Sequence, residues 1–294
     1  MTAQIKNLFQ TNIELLELVD KAVFYFREQN YPAALEYMPV VSEKMKDVID
    51  GIIGDKEYFQ LVSTDSLTEM LEGIVEASRS VDYVLLADLL ELQLSTLICN
   101  VQELIIKKEN YAFFSESMYL EQCTAMVEKL AEAGQRKEAE TLFETTFDPE
   151  QLMEAGYRVE ATSCGLMTVA VKTDRGSIYL HSNHKAVQEA FLLARSWVSE
   201  GVETYLVKGF GMGYHVLELA KLVPEAKIKV FESDGQILKL ACAFSPLRKL
   251  LENDRISICY DPEGTEWKRE VEQEEEGKAF CLHMPSVQAG SALF

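Results

Sequence analysis

The residues best placed to do chemistry lie in Val207-Lys-Gly-Phe-Gly-Met-Gly-Tyr-His-Val-Leu-Glu-Leu. Gly209, Gly211 and Gly213 fall between an expected strand and an expected helix. Bare of Cβ atoms, such a loop can turn sharply, admit a ligand to its backbone amides and present a helix N-terminus to negative charge. The spacing is GxGxG, and Tyr214 stands where a dinucleotide fingerprint would carry its third glycine. Glu232 closes the next expected strand, 19 residues after Gly213, where a carboxylate can accept both hydroxyl protons of a ribose. Asp261 closes the strand after that, beside the place for a base. A glycine loop with an acid on each of the next two strands is the layout of S-adenosylmethionine-type nucleotide pockets. It makes Gly209, Gly211, Gly213, Tyr214, His215, Glu232 and Asp261 the expected cofactor-binding residues. The cofactor is then S-adenosylmethionine, a nucleotide or a nucleotide sugar. Structural alternatives stay open at each position: Gly213 as a packing glycine, His215 as a satisfied core histidine, and Asp261, ahead of Pro262, as a helix cap. Asp234 is assigned to a cap outright.

His181 and His184, three apart in His-Ser-Asn-His, have the look of a metal pair, but two histidines rarely close a site and no third ligand stands nearby in the sequence. No metal is therefore expected. His181 and Ser182 are instead read as the polar, substrate-side wall of the pocket, with Ser182 or Asn183 as an alternative helix cap. The six cysteines, Cys99, Cys123, Cys164, Cys242, Cys259 and Cys281, show neither CxxC pairing nor zinc spacing and read as buried small hydrophobes. No Gly-x-Ser-x-Gly elbow, phosphate loop or HExxH is present.

The elements that must position these residues differ between the two halves. Residues 1–150 hold 28 acids, 12 bases and 4 Gly, against 20, 16 and 11 in 151–294. In the first half apolar residues recur at helical spacing from Ile5 to Phe26 and over 34–49, 67–78, 81–106, 118–133 and 137–147, an all-α bundle. Pro32 sits inside a helix start, Ser66 with Glu69 forms a capping box, and Gly134 occupies a C-cap position. After Pro149 the period shortens. Segments 158–161, 166–173 and 177–181 read as a small antiparallel unit, turned at Asp174-Arg175-Gly176. A helix over 185–199 follows, and then strands 204–208, 228–232, 255–260 and 279–283 alternate with helices. Strands apolar throughout, such as Tyr205-Leu-Val, indicate a parallel sheet covered by helices. The acidic run near 263–275 reads as a solvated helix face. The expected fold is thus an α/β Rossmann-like, methyltransferase-like sheet (151–294, with a hairpin lead-in over 157–182) preceded by a helical bundle (1–150).

A net charge of -20 repels phosphate backbones, which argues against nucleic-acid binding. No uninterrupted apolar run approaches the roughly 18 residues of a membrane span, and the first residues lack a signal pattern, so a cytoplasmic protein is expected. The acidic helical half is the expected surface for a protein partner or a second copy.

Ile178-Tyr-Leu-His-Ser, the following helix with Glu189-Ala190, Gly209-Phe-Gly-Met-Gly-Tyr-His and Val230-Phe-Glu together resemble the domain shared by motility accessory factors and proteins similar to 6-hydroxymethylpterin diphosphokinase. Asp82-Tyr-Val-Leu-Leu-Ala-Asp resembles an upstream segment of clostridial members. The resemblance implies a Rossmann-like fold used for transfer from nucleotide-linked substrates, including flagellin glycosylation from nucleotide-activated sugars. It places Gly209, Gly211, Gly213, Tyr214, His215 and Glu232 on the ligand loop and second-strand acid, and His181 with Ser182 on a His-Ser motif. This chain continues that motif with Asn183-His-Lys-Ala, unlike the family's usual Lys, aromatic and Asn/Asp-Pro. Four parallel strands precede Phe294 where a complete doubly wound domain carries about six, so the acceptor half is expected to be missing. The expected function is binding of a nucleotide-type ligand, with glycosyl transfer. The alternatives are an S-adenosylmethionine-dependent methyltransferase and a non-enzymatic interaction protein.

Overall fold

The computed structural model describes residues 2–109, 116–144, 148–273 and 276–291. The expected helix end at Phe147, the last acids of the run at Glu274 and Glu275, and Phe294 lie outside these described residues. Two compact units emerge, one of residues up to 109 with Ser163–Leu166, the other of residues 116–162 and 167–291.

The first unit is helical: α1 (Ala3–Arg27), α2 (Tyr31–Gly54), α3 (Thr64–Arg79), α4 (Tyr83–Asp88), a π-helical segment (Leu89–Leu94) and α5 (Ser95–Glu109). Pro32 occupies the first turn of α2 as expected, while α2 runs on through Pro39. The cap of α3 lies three residues earlier than its sequence suggests: Ser63 is the N-cap and accepts the Ser66 N–H at 3.3 Å, so Ser66 is already helical. The π segment carries the extra residue that keeps Leu89, Leu90 and Leu94 buried between two helical stretches of different phase. Leu15, Val19, Ile98, Val101 and Ile105 are fully buried in this core. The helix over 83–109 is long and apolar enough to cross a membrane by length and composition, and 44% of its most apolar window is buried within the protein. Asp88 and Glu91 interrupt the apolar run that a sequence search looks for, and both pair with Arg27, at 2.6 and 2.9 Å.

The second unit opens with α6 (Glu116–Glu132), α7 (Arg136–Glu144) and α8 (Pro149–Glu154). The α6–α7 turn closes at Gly134, whose φ of +83° allows the Gln135 N–H to reach back to the Leu130 carbonyl at 2.9 Å. β1 (Tyr157–Ala161), β2 (Met167–Thr173) and β3 (Gly176–Tyr179) form an antiparallel sheet with β2 central. α9 (Ala186–Trp197) leads into β4 (Thr204–Lys208), α10 (Tyr214–Leu222), β5 (Lys227–Glu232), α11 (Gly235–Phe244), α12 (Arg248–Leu251), β6 (Ile256–Tyr260), α13 (Thr265–Glu272), β7 (Lys278–Leu282) and α14 (Met284–Ser291).

Among the described residues the parallel sheet has four strands in the order β6-β5-β4-β7. Numbered along the chain this is 3-2-1-4, the core order of a doubly wound, Rossmann-like sheet. The chain winds outward from β4 through β5 to β6 and then crosses to the far side of β4. The change of direction leaves a crevice between the loops that follow β4 and β7, the position where such sheets take ligands.

One face of this sheet is covered by elements that the sequence groups with the bundle. Cys123, Met126, Leu130 and Ala139 of α6 and α7 share a core with Val230, Ile258, Leu238 and Leu250. Gln122 fastens α6 to the segment after α11: its amide donates to the Cys242 and Ser245 carbonyls at 2.7 and 2.9 Å, and its carbonyl accepts the Leu247 N–H at 2.7 Å. The acidic run is not wholly solvated either. Glu270 bridges Lys229 of β5 and Lys278 of β7 at 2.7 and 2.9 Å, which holds its carboxyl below the usual range.

Candidate functional site

A cavity of about 240 Å³ opens at the carboxyl ends of β4, β5 and β6, lined by Gly209, Glu232, Ser233 and Asp261 from the strand ends and by Ser286 and Gly290 of α14. Three residues expected from sequence, Gly209, Glu232 and Asp261, are therefore brought to one cavity. The volume lies below the roughly 300–1,000 Å³ of drug-sized sites, which suits a nucleoside-sized group better than a dinucleotide.

Glu232 ends β5 with 2% exposure. One carboxylate oxygen accepts the Phe210 N–H at 2.7 Å and the other the Asp234 N–H at 3.0 Å, and the Gly211 amide adds a favourable electrostatic contribution. Burial pushes this carboxyl up to about 7 despite those three amides. Each oxygen retains acceptor capacity beyond the bond it makes. Asp261 has a second occupation: Oδ2 accepts the Trp267 N–H at 2.9 Å and Oδ1 the Glu266 N–H at 3.2 Å, so the side chain caps α13. Asp234 caps α11 through Gln236, as expected, and accepts the Tyr157 hydroxyl at 2.5 Å.

The glycine loop is packed rather than open. A Cβ on Gly211, at φ +52°, would come within 3.0 Å of both His181 Nε2 and His283 Cε1; one on Gly213, at φ +81°, would meet Leu247 at 2.9 Å. The amides are committed as well. Gly209 donates to the Phe231 carbonyl at 2.8 Å and Gly213 to the Phe210 carbonyl at 2.9 Å. Phe210 serves Glu232, and Met212 donates to His181 Nε2 at 3.2 Å. Tyr214 faces away from the cavity: its hydroxyl donates to the Met167 carbonyl at 2.8 Å and ties α10 to β2.

His181 and Ser182 do not line the cavity. Ser182 forms the turn before α9, its hydroxyl accepting the Lys185 N–H at 3.2 Å while its own N–H goes to Glu189 at 2.9 Å. His184 is exposed. His181 is buried, and its neighbours come from elsewhere in the chain. One ring nitrogen each from His181, His215 and His283 lies within 4.8 Å of the others. His215 and His283 stack with centroids 4.1 Å apart and planes at 13°, and His181 lies 4.9 Å from His283. His283 is fixed at the strand edge by its N–H, which donates to the Lys208 carbonyl at 2.9 Å. The cluster thus occupies the crevice between the loops after β4 and β7. Sequence reasoning missed His283; its position one residue past the end of the fourth strand, matching Gly209 past the first, is the signal that could have found it.

No family model matches the sequence, and no curated protein is similar to it. Among solved structures, a crystal structure of MNMC2 from Aquifex aeolicus aligns with 55% of this chain and 54% of its own, at 16% identity and a TM-score of 0.24. The aligned region thus spans about half the length of that structure.

Proposed function

We propose that the second unit binds a nucleoside-type ligand in the cavity at the carboxyl ends of β4–β6, with Glu232 receiving ribose hydroxyls, and that the ligand is of the S-adenosylmethionine type. The observation that carries this is the buried Glu232 carboxylate on the cavity wall, held by amides yet with acceptor capacity left for a diol. The loop supports an adenosyl ligand over a diphosphate. The amides of Gly209, Phe210, Met212 and Gly213 are already bonded within the protein, so the loop offers a poor cradle for phosphate oxygens. Methyl transfer is the reaction that such a ligand supports, the donor's methyl leaving its sulfonium for an acceptor.

The second reading, glycosyl transfer from a nucleotide-activated sugar as the resemblance to motility accessory factors implies, draws on Lys208 and Lys268, two cations on the cavity wall that can meet phosphate. Thermal shift separates the two, using S-adenosylmethionine, S-adenosylhomocysteine, cytidine and uridine diphosphates and a nucleotide sugar. A ligand at about 100 times its dissociation constant adds roughly 2.7 kcal/mol of stability. Response to the adenosyl compounds, lost in Glu232→Gln, is the expected result. Response to the diphosphates alone transfers the site to the second reading, and silence across the panel overturns both.

A further inference from the structure

We propose that His181, His215 and His283 form a binding site for one divalent transition-metal ion, zinc being the best match, in the crevice where the sheet changes direction. The inference is independent of the nucleoside reading, since none of the three rings lines that cavity.

The three histidines are 1%, 0% and 0% exposed. Two of their nitrogens, His215 Nδ1 and His283 Nε2, are buried and make no hydrogen bond of ordinary geometry. Buried polar atoms are almost always satisfied, and an orphan pair within one histidine cluster points to an ion. The opposite nitrogens are the ones held by protein groups. His215 Nε2–H donates to the Gly209 carbonyl at 3.0 Å, His181 Nδ1 faces the Glu189 carboxylate at 3.3 Å, and His283 Nδ1 meets the Ser286 hydroxyl at 2.7 Å. Carbonyl, carboxylate and hydroxyl partners on the far nitrogen are the outer contacts that orient metal-binding imidazoles and fix their tautomers. The donor set would be His215 Nδ1, His283 Nε2 and His181 Nε2.

Ligation uses neutral imidazole, with one nitrogen of each ring for the ion and the other for its protein partner. Tetrahedral zinc with bonds of about 2.0–2.1 Å sets ligand nitrogens about 3.4 Å apart. From separations of up to 4.8 Å, closure takes rotations that open the His215–His283 stack and exchange the Met212 N–H bond at His181 for the metal. Gly211 leaves room for them, since a Cβ there would press on His181 and His283. Three imidazoles suit zinc or another borderline cation and reject magnesium and calcium, which take oxygen ligands. They also leave a fourth position for water or an anion.

The test uses the full chain, freed of any purification tag, stripped with a chelator and titrated with zinc in excess magnesium, so that cations held loosely by the acidic surface do not register. The expected result is one equivalent bound per chain. Cobalt in its place should give the intense visible spectrum of a tetrahedral site, and X-ray absorption of the zinc form should show imidazole nitrogen in the first shell. His283→Gln and His215→Gln should each weaken binding at least 100-fold, while His184→Gln, outside the cluster, leaves it unchanged. Wild-type protein with native circular dichroism that binds no stoichiometric zinc overturns the proposal whatever the variants do. So does stoichiometric binding that persists in His215→Gln/His283→Gln, or a first shell dominated by oxygen.

Discussion

Glu232 combines two conditions that seldom coexist, a carboxyl removed from water and three backbone amides aimed at it. Removal from water costs the charged form more than the amides return, and the pKa rises to about 7. The sign of the consequence follows from proton counting. Between the ordinary carboxyl range and pH 7 the unfolded chain has released this proton while the folded chain still holds it. Folding therefore takes up a proton in that window, and stability falls as pH climbs from about 4.5 to 7, then levels off. The loss is about 3 kcal/mol at most, from 1.36 kcal/mol per unit. Asp234, also raised by burial, acts in the same direction, and Glu270, lowered by its two lysines, in the opposite one. Comparing wild type with Glu232→Gln cancels both. Urea unfolding across pH 4.5–8 should give a difference curve that rises in favour of the variant toward neutral pH. At the acid end the variant should be the weaker by about 1–3 kcal/mol, because one amide loses its acceptor. Parallel curves would show that the charge never bore the cost of burial.

At the level of elements, β4–β7 and the caps at Asp234 and Gly134 were legible from local pattern. The central strands, largely buried, read as nearly unbroken apolar runs, as does β7 although its Phe280 and Leu282 are exposed, and a cap needs only its own few residues. What the sequence hid were alliances over long separations. α6 looks like one more amphipathic helix, since an apolar stripe does not say whether helix or sheet will cover it. The three histidines are 34 and 68 residues apart in a row that no spacing rule unites. Only the 3-2-1-4 winding brings the end of β7 beside the end of β4. The glycine loop was read from its spacing as bare for a ligand's sake; at Gly211 and Gly213 its bareness also accommodates His181, His283 and Leu247. Gln122 shows how much a hidden alliance weighs. Gln122→Leu keeps the volume and strands two carbonyls and one N–H in a dry interface. Chemical denaturation should register a loss of about 3 kcal/mol or more, at about 1–3 kcal/mol for each orphaned group. A loss below about 1 kcal/mol would mean that α6 is held by apolar contact alone.

For the molecule as a whole, the same alliance decides where the chain can be divided. Composition changes near residue 150, where the glycine content rises and the acid excess shrinks, yet the core of the sheet unit reaches back to Cys123, Met126 and Leu130. A fragment beginning at residue 151 would leave Val230, Ile258, Leu238 and Leu250 without that cover. It would also expose the Ser245 and Cys242 carbonyls that Gln122 satisfies. Apolar area of that kind, at about 25 cal/mol per Å², together with orphaned polar groups, is comparable to the whole stability margin of a domain, about 5–15 kcal/mol. A fragment beginning at residue 116 keeps both the cover and the glutamine. Expressed side by side, the longer fragment should stay soluble and unfold in one cooperative transition by circular dichroism, while the shorter should aggregate or bind a hydrophobic dye without a sharp transition. Equal cooperativity in the two would show that α6 and α7 are ornaments on a sheet that folds without them, and would return the domain boundary to the place where composition changes.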